Sequence, residues 1–470
     1  MMVDKVVDKV VTVEEAIADI TDGAVVAVGG FGRPGFPWPC LQALAAKRVK
    51  GLTVIGLAVT QALPFLEARC LKKFISPYPA FGAARSMENP LLEAAERGEV
   101  EVEICPLGNL VEKLRAAGAG IPAFYTPVGA DTEIEKGKEV RIFNGKKYLL
   151  ETALKPDFAI IRACKADRRG NLVYRQTSRN LCHAMAKAAS TTIAEVQEVT
   201  EVGELDPESV VTQEIYVDRI VVGEPRPLEW KARQIVRGRT RAKELEERKE
   251  ERRGLTRELI CLRASKELKP GMYVNLGIGM PAQVADFVEE GVILHTQNGA
   301  LGFGPTLADV DRIIDTELVN AGGEPITEKP GISYMDCIEA FDMMRGGHLD
   351  VAIVGGLQVS AKGDLANWKI PGQAIGAPGG VMDLAQGARR VIVLMEHVDA
   401  KGNPKIVNEC TFPITAKKIV STIITDMAVL EVTPDGLEIR EVAPGISPAE
   451  VQALTEPKLI ASKDIKEMEF

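Results

Sequence analysis

Short apolar runs broken by glycine and proline dominate the pattern of this chain. Ala24-Val25-Val26-Ala27-Val28 is wholly apolar and leads into Gly29-Gly30-Phe31-Gly32-Arg33-Pro34-Gly35, the pattern of a buried strand opening into a tight loop. Similar runs predict strands at 51–56, 72–75, 100–104 and 157–161, and apolar residues at helical spacing predict helices at 110–117 and 185–189. Thr12 with Glu15 three residues on forms a capping-box pattern, and the helix it opens is expected to end near Asp22-Gly23. Strands alternating with helices predict an α/β fold, its sheet mainly parallel and covered on both faces.

The plan then returns. Asp157-Phe158-Ala159-Ile160-Ile161, followed by Gly170-Asn171-Leu172, runs parallel to Asp350-Val351-Ala352-Ile353-Val354 followed by Gly363-Asp364-Leu365. Residues 189–199 likewise parallel 388–398, and Pro270-Gly271 before Tyr273-Val274-Asn275-Leu276 echoes Asp22-Gly23 before the first strand. Two tandem copies of one open-sheet domain explain these matches. Between them lies a charged stretch with Arg237, Arg239, Arg241, Lys243 and the run from Glu246 to Arg253. The expected division is therefore 1–230, a solvated linker at 231–253, and 254–470.

Composition narrows the function. The 470 residues carry a formal net charge of -9 and only 5% aromatics, which argues against a nucleic-acid or anionic-membrane partner. The 8 cysteines are scattered without a C-x-x-C pair, and 4 histidines are too few to rescue a zinc site. Reduced thiols in a cytoplasmic protein are the expectation. Met1 to Lys5 alternates charge with valine and lacks a signal-peptide core, and no apolar run is long enough to span a membrane.

One turn concentrates the candidate chemistry. Val292-Ile293-Leu294 leads into His295-Thr296-Gln297-Asn298-Gly299, then Leu301-Gly302-Phe303-Gly304-Pro305. A polar turn at a strand's carboxyl end is where open α/β sheets present reactive groups. His295 reads either as a base near Gln297 or as a structural residue.

The second copy carries motifs that name a family. Gly271-Met272-Tyr273-Val274-Asn275-Leu276-Gly277-Ile278-Gly279-Met280-Pro281 resembles the family I (3-oxoacid type) coenzyme A transferases. So do Asn298-Gly299, Asn320-Ala321-Gly322, Arg345-Gly346-Gly347-His348-Leu349-Asp350, Gly363-Asp364-Leu365-Ala366-Asn367-Trp368 and Gly379-Gly380-Val381-Met382-Asp383-Leu384. The first copy adds Gly29-Gly30-Phe31-Gly32, Pro122-Ala123-Phe124-Tyr125-Thr126-Pro127 and Gly170-Asn171-Leu172-Val173-Tyr174. The chain looks like the α and β subunits of such an enzyme fused in one polypeptide. The resemblance implies two domains of the CoA-transferase (NagB/RpiA-like) type, packed face to face with the site between them.

It also implies exchange of CoA between an acyl-CoA and a free carboxylic acid. In that family a glutamate in a Ser-Glu-Asn-Gly turn attacks the thioester and forms a mixed anhydride. The CoA thiolate then attacks the enzyme acyl group, leaving a glutamyl-CoA thioester that a second acid consumes. Carried over by position, Gln297 is the nucleophile site, and Gly379 and Gly380 are oxyanion donors. Gly277, Ile278 and Gly279 flank the CoA pantetheine, and Asn298 and Gly299 form the turn. Gly29, Gly30, Phe31 and Gly32 with Leu57 and Leu107 face the substrate. Coenzyme A enters as a substrate thioester; no metal, flavin or nicotinamide is implied, and a homodimer or higher assembly is expected.

The match fails at the reacting atom. Gln297 stands where the family has glutamate and Thr296 where it has serine; a neutral amide does not accept an acyl group. Three explanations are open: a deliberate Glu-to-Gln exchange that holds a CoA ester uncleaved, a retooled hydrolase or decarboxylase, or an acyl-CoA-binding pseudoenzyme. The pocket departs too. Pro37-Trp38-Pro39, Gly56-Leu57-Ala58, Pro106-Leu107-Gly108 and Gly323 replace polar residues of the family pattern. Removing one oxyanion donor costs roughly 3–4 kcal/mol of transition-state stabilisation, so Leu57 and Leu107 imply a more apolar acyl group or a different reaction.

Overall fold

The computed structural model describes residues 8–79, 89–223, 229–231, 254–306, 313–373 and 375–470. The first helix, α1 (Val13–Ala16), has its capping box, with Glu15 N–H on Thr12 Oγ1 and Thr12 N–H on Glu15. It stops after one turn, well short of Asp22-Gly23. The reason is tertiary: Lys47 Nζ donates to the carbonyls of Ile17, Ala18 and Ile20, and Arg219 donates to that of Ala16. Those side chains satisfy the carbonyls that further helical turns would have used.

The first half is built on seven parallel strands: β1 (Val25–Val28), β2 (Leu52–Ile55), β3 (Leu71–Ser76), β4 (Glu101–Ile104), β5 (Phe158–Asp167), β6 (Thr191–Thr200) and β7 (Arg219–Val222). Their order is β7-β6-β5-β1-β2-β3-β4, with the short strand Leu172–Val173 hairpinned onto β5. Helices α2 (Trp38–Lys47), α3 (Leu107–Gly118) and α4 (Cys182–Ala188) follow three of the loops.

The second half starts at α5 (Arg257–Ser265) and repeats the design with β8 (Tyr273–Leu276), β9 (Ile293–Thr296), β10 (Val351–Gly355), β11 (Arg390–Leu394) and β12 (Val420–Ile424). Their parallel order, β9-β8-β10-β11-β12, reproduces β2-β1-β5-β6-β7. Small bonds repeat with it. Asp157 accepts the Val25 N–H at 2.8 Å, and Asp350 accepts the Tyr273 N–H at 2.9 Å. Gly29 N–H donates to Ile160 O at 2.9 Å, as Gly277 N–H does to Ile353 O at 2.8 Å. The paired Asp-hydrophobic runs thus occupy the same register in both sheets.

Two further helices, α6 (Cys337–Arg345) and α7 (Val381–Gly387), face the first half. Helices α4, α3, α6 and α7 pack in succession, so one apolar core runs from Leu110 and Leu114 to Phe341, Met344 and Leu384. A second cluster, with Leu41, Phe65 and Phe74, covers the opposite face of the first sheet. Strand Glu229–Lys231 pairs antiparallel with Ile313–Asp315, so Lys231 ends a strand rather than opening a linker. Residues 232–253, the rest of the expected linker, lie outside the described residues.

Candidate active site

The duplication gives the candidate turn a counterpart. Gln297 follows β9, and the topologically equivalent turn of the first half is Gly56-Leu57-Ala58 after β2. The Gln297 turn is held on every side. Gly299 N–H closes it on Thr296 O at 3.0 Å, Thr296 Oγ1 donates to Asn298 Oδ1 at 2.6 Å, and Asn298 Nδ2 donates to Val319 O at 2.8 Å. Gly299 has φ 105, and a Cβ there would stand 2.1 Å from Met335 O, so only glycine fits.

Gln297 itself is 8% exposed, and its Oε1 is buried without a hydrogen-bond partner. Gly380 forms the wall beside it: a Cβ on Gly380 would lie 1.8 Å from that oxygen and 3.2 Å from Phe341 Cζ. Gly379 is tied to the first half at both ends, its N–H on Pro77 O at 3.0 Å and its carbonyl accepting from Leu107 N–H at 2.8 Å. Of the two expected backbone donors, Gly379 is therefore engaged, and the Gly380 N–H has no partner among the described residues.

Other sequence-derived residues connect to this point. Phe31 and Leu57 are 5% exposed and Leu107 1%. Leu57 O accepts from Ser76 Oγ at 2.7 Å, next to the Pro77 that holds Gly379. Gly277, packed on Ile353 O, and Gly279, with φ 86, flank Ile278, which is exposed near Gly322. The Ala321 N–H returns to Thr296 Oγ1 at 3.0 Å, joining this loop to the Gln297 turn. In the first Gly-rich loop, Gly29 and Gly30 lie against Cys182 and Phe36.

His295 is held in the core. It is fully buried, its Nδ1 meets Asn275 Nδ2 at 2.9 Å, and burial lowers its pKa to about 4, so the ring is neutral and structural. Trp368 is a packing residue with Nε1 on Ile414 O. All eight cysteines are free, and no metal-binding cluster exists among the described residues.

Sequence reading missed three contributors. Gln61 is buried and donates to the carbonyls of Val28, Gly29 and Gly30, each at 3.1 Å, while its Oε1 accepts the Ala58 N–H at 2.7 Å. It staples the first Gly-rich loop to the Leu57 turn, and nothing in its local sequence marks it. Asp383 and Arg345 lie within motifs already noted, yet their shared partner, Gly108, is visible only in three dimensions. A cleft of about 500 Å³ also runs between the halves, lined by Asp131, Thr132 and Glu133 on one side and Lys369, Gln373 and Thr411 on the other.

Two parallel sheets of one topology, with a strand-end turn of the second seated against the first, define a class. The coenzyme A transferase family model matches residues 10–223 and 258–454, and the chain belongs to that family. It is 38% identical over 97% of its length to the human mitochondrial succinyl-CoA:3-ketoacid coenzyme A transferase 2, covering 90% of that protein. A separate-subunit relative, a probable succinyl-CoA:3-ketoacid coenzyme A transferase polypeptide of Bacillus subtilis, is 44% identical, aligning with 44% of this chain and 97% of its own length. Among solved structures, an acyl-CoA transferase (YdiF) apoenzyme of Escherichia coli O157:H7 superposes with a TM-score of 0.77 at 20% identity, over 99% of this chain and 96% of that one.

Proposed function

We propose that this chain is built to exchange CoA between an acyl-CoA and a free carboxylic acid, with position 297 as the seat of the covalent intermediate. The observation that carries this reading is the buried, unpartnered Oε1 of Gln297 against Gly380. A carboxylate in that place is stripped of water and hydrogen-bond donors, which raises its energy and its readiness to attack a thioester. The amide keeps the shape and lacks the nucleophile.

Gln297→Glu tests this. Incubated with acyl-CoA, the glutamate variant is expected to gain a CoA-linked mass that hydroxylamine or borohydride removes, together with ping-pong exchange, and the chain as it stands neither. Full turnover with Gln297 in place sinks the proposal in favour of a hydrolase or decarboxylase. Loss of all turnover in both forms leaves an acyl-CoA-binding protein.

The buried Leu57 and Leu107 support a more apolar acyl group than the succinyl and 3-keto acids in the relatives' names. Tighter binding of succinyl-CoA than of a branched or medium-chain acyl-CoA contradicts this. Of the expected division into 1–230, 231–253 and 254–470 we keep the three parts and place the first boundary after Lys231, which ends a strand. Eight free thiols fit a reducing compartment, and we assign the cytoplasm over the mitochondrion of the human relative; cell fractionation decides. No helix among the described residues is long and apolar enough to cross a membrane. A homodimer or higher assembly completes the reading, with light scattering as its check.

A further inference from the structure

Helix α7 is capped by Gly380 and begins at Val381, which makes Asp383 its third residue. An acid at that position ordinarily folds back onto the N–H of its own capping residue. Asp383 does not. Its Oδ2 accepts the N–H of Gly108, 275 residues away in the first half, at 3.1 Å. The carbonyl of the same Gly108 accepts from Arg345 Nη1 at 3.1 Å, so the second half grips this one residue from both sides. Gly379 is gripped in return by Pro77 O and Leu107 N–H.

We propose that Asp383 is a positioning residue of the site: through Gly108 it anchors the Gly379–Gly380 turn to the first half and leaves the Gly380 N–H free beside position 297. The contact is too close for any side chain on the facing residue, since a Cβ on Gly108 would meet Asp383 Oδ1 at 1.8 Å and Phe341 at 2.7 Å. Asp383 is fully buried, and its Oδ1 has no partner. An apolar side chain would fill this space without the penalty of a desolvated carboxyl. Burial pushes its pKa to about 6, against the Arg345 charge and the Gly108 N–H. The acid is kept at a point where it holds the two halves together. Because the Gly380 backbone touches the residue 297 side chain, a shift of the anchor moves the reacting group.

The anchor itself is tested on the chain as it stands. Asp383→Ala is expected to speed amide hydrogen exchange at Gly108 and Gly379 together, and Asp383→Asn, which keeps an acceptor oxygen, to leave both slow. Gly108→Ala breaks the contact from the other side and must give the alanine pattern if Asp383→Ala does not fold. The catalytic consequence rests on the transferase reading and is measured in a Gln297→Glu background. There Asp383→Ala should lower kcat by about tenfold to a hundredfold, with KM for acyl-CoA nearly unchanged and Asp383→Asn restoring most of the rate. Unaltered exchange at Gly108 and Gly379 overturns the anchor. Equal kcat losses in Asp383→Asn and Asp383→Ala overturn the positioning role. If Gln297→Glu alone has no transferase activity, the transferase reading fails while the exchange data still decide the anchor.

Discussion

At the scale of single residues, the site depends on atoms that are absent. Gly380 has φ -99 at the start of α7, a conformation open to any residue, so its requirement is purely spatial. Gly380→Ala places a methyl 1.8 Å from the residue 297 side chain. In the Gln297→Glu variant it is expected to lower formation of the CoA-linked protein by about a hundredfold, with little change in thermal midpoint; quenched-flow mass spectrometry and thermal melts check the two. Charge is managed by burial in the same way. His295 and His397 are both held near pKa 4 by desolvation, and His397 has a threonine hydroxyl on each nitrogen, at 2.9 and 2.8 Å. Unfolded, each takes up a proton near pH 6.5, so the unfolded chain binds more protons between there and about 4, and stability falls as pH drops through that window. Asp383, raised to about 6, works in the opposite sense: folded, it holds its proton where the unfolded acid has lost it, and its cost grows as pH rises toward 6. Urea midpoints measured from pH 7 to 4 should therefore fall with acidification, and His397→Gln should flatten the decline.

At the scale of elements, Gln61 shows how a loop is given one shape. Its amide takes three consecutive carbonyls after β1 and one N–H after β2, which aligns two strand-end loops that no backbone ladder joins. Gln61→Leu keeps the bulk and strands buried polar groups, each worth about 1–3 kcal/mol. The variant is expected to lose at least about 2 kcal/mol in urea unfolding on that basis, and to expose the Gly29–Gly30 amides to hydrogen exchange. The central strands were legible from their apolar runs because a sheet buried on both faces leaves no choice of polarity. Helix lengths were less so. The end of α1 depends on Lys47 and Arg219, and α3 begins at Leu107 rather than Leu110 because the Leu107 N–H is bound by the Gly379 carbonyl of the other half.

At the scale of the whole molecule, the two halves share charge as well as a core. Arg162 of β5 and Glu195 of β6 sit side by side in the first sheet, 2% and 0% exposed, and form a buried ion pair. Glu317 of the second half lies close enough to feel the Arg162 charge, and burial nevertheless raises its pKa. Around it, Thr177 N–H and Oγ1 both donate to Glu317 O, and Arg175 pairs with Asp315. Removing one member of a buried pair leaves an uncompensated charge. Glu195→Gln is expected to destabilise the chain by about 3–5 kcal/mol, measured by urea unfolding at neutral pH. A loss below about 1 kcal/mol, the size of an exposed pair, would mean that Glu317 carries the charge of Arg162 unaided.

The linear chain determined the repeat, the strand-end turn at 297 and the family, because periodicity, glycine placement and short motifs are local and survive without contacts. Only the tertiary structure decided which groups at the site are engaged: Gly379 tied to Pro77 and Leu107, the Gly380 N–H without a partner among the described residues, and Asp383 diverted to Gly108. These pairings join residues hundreds of positions apart, and a hydrogen bond of that span leaves no spacing in sequence from which it can be read.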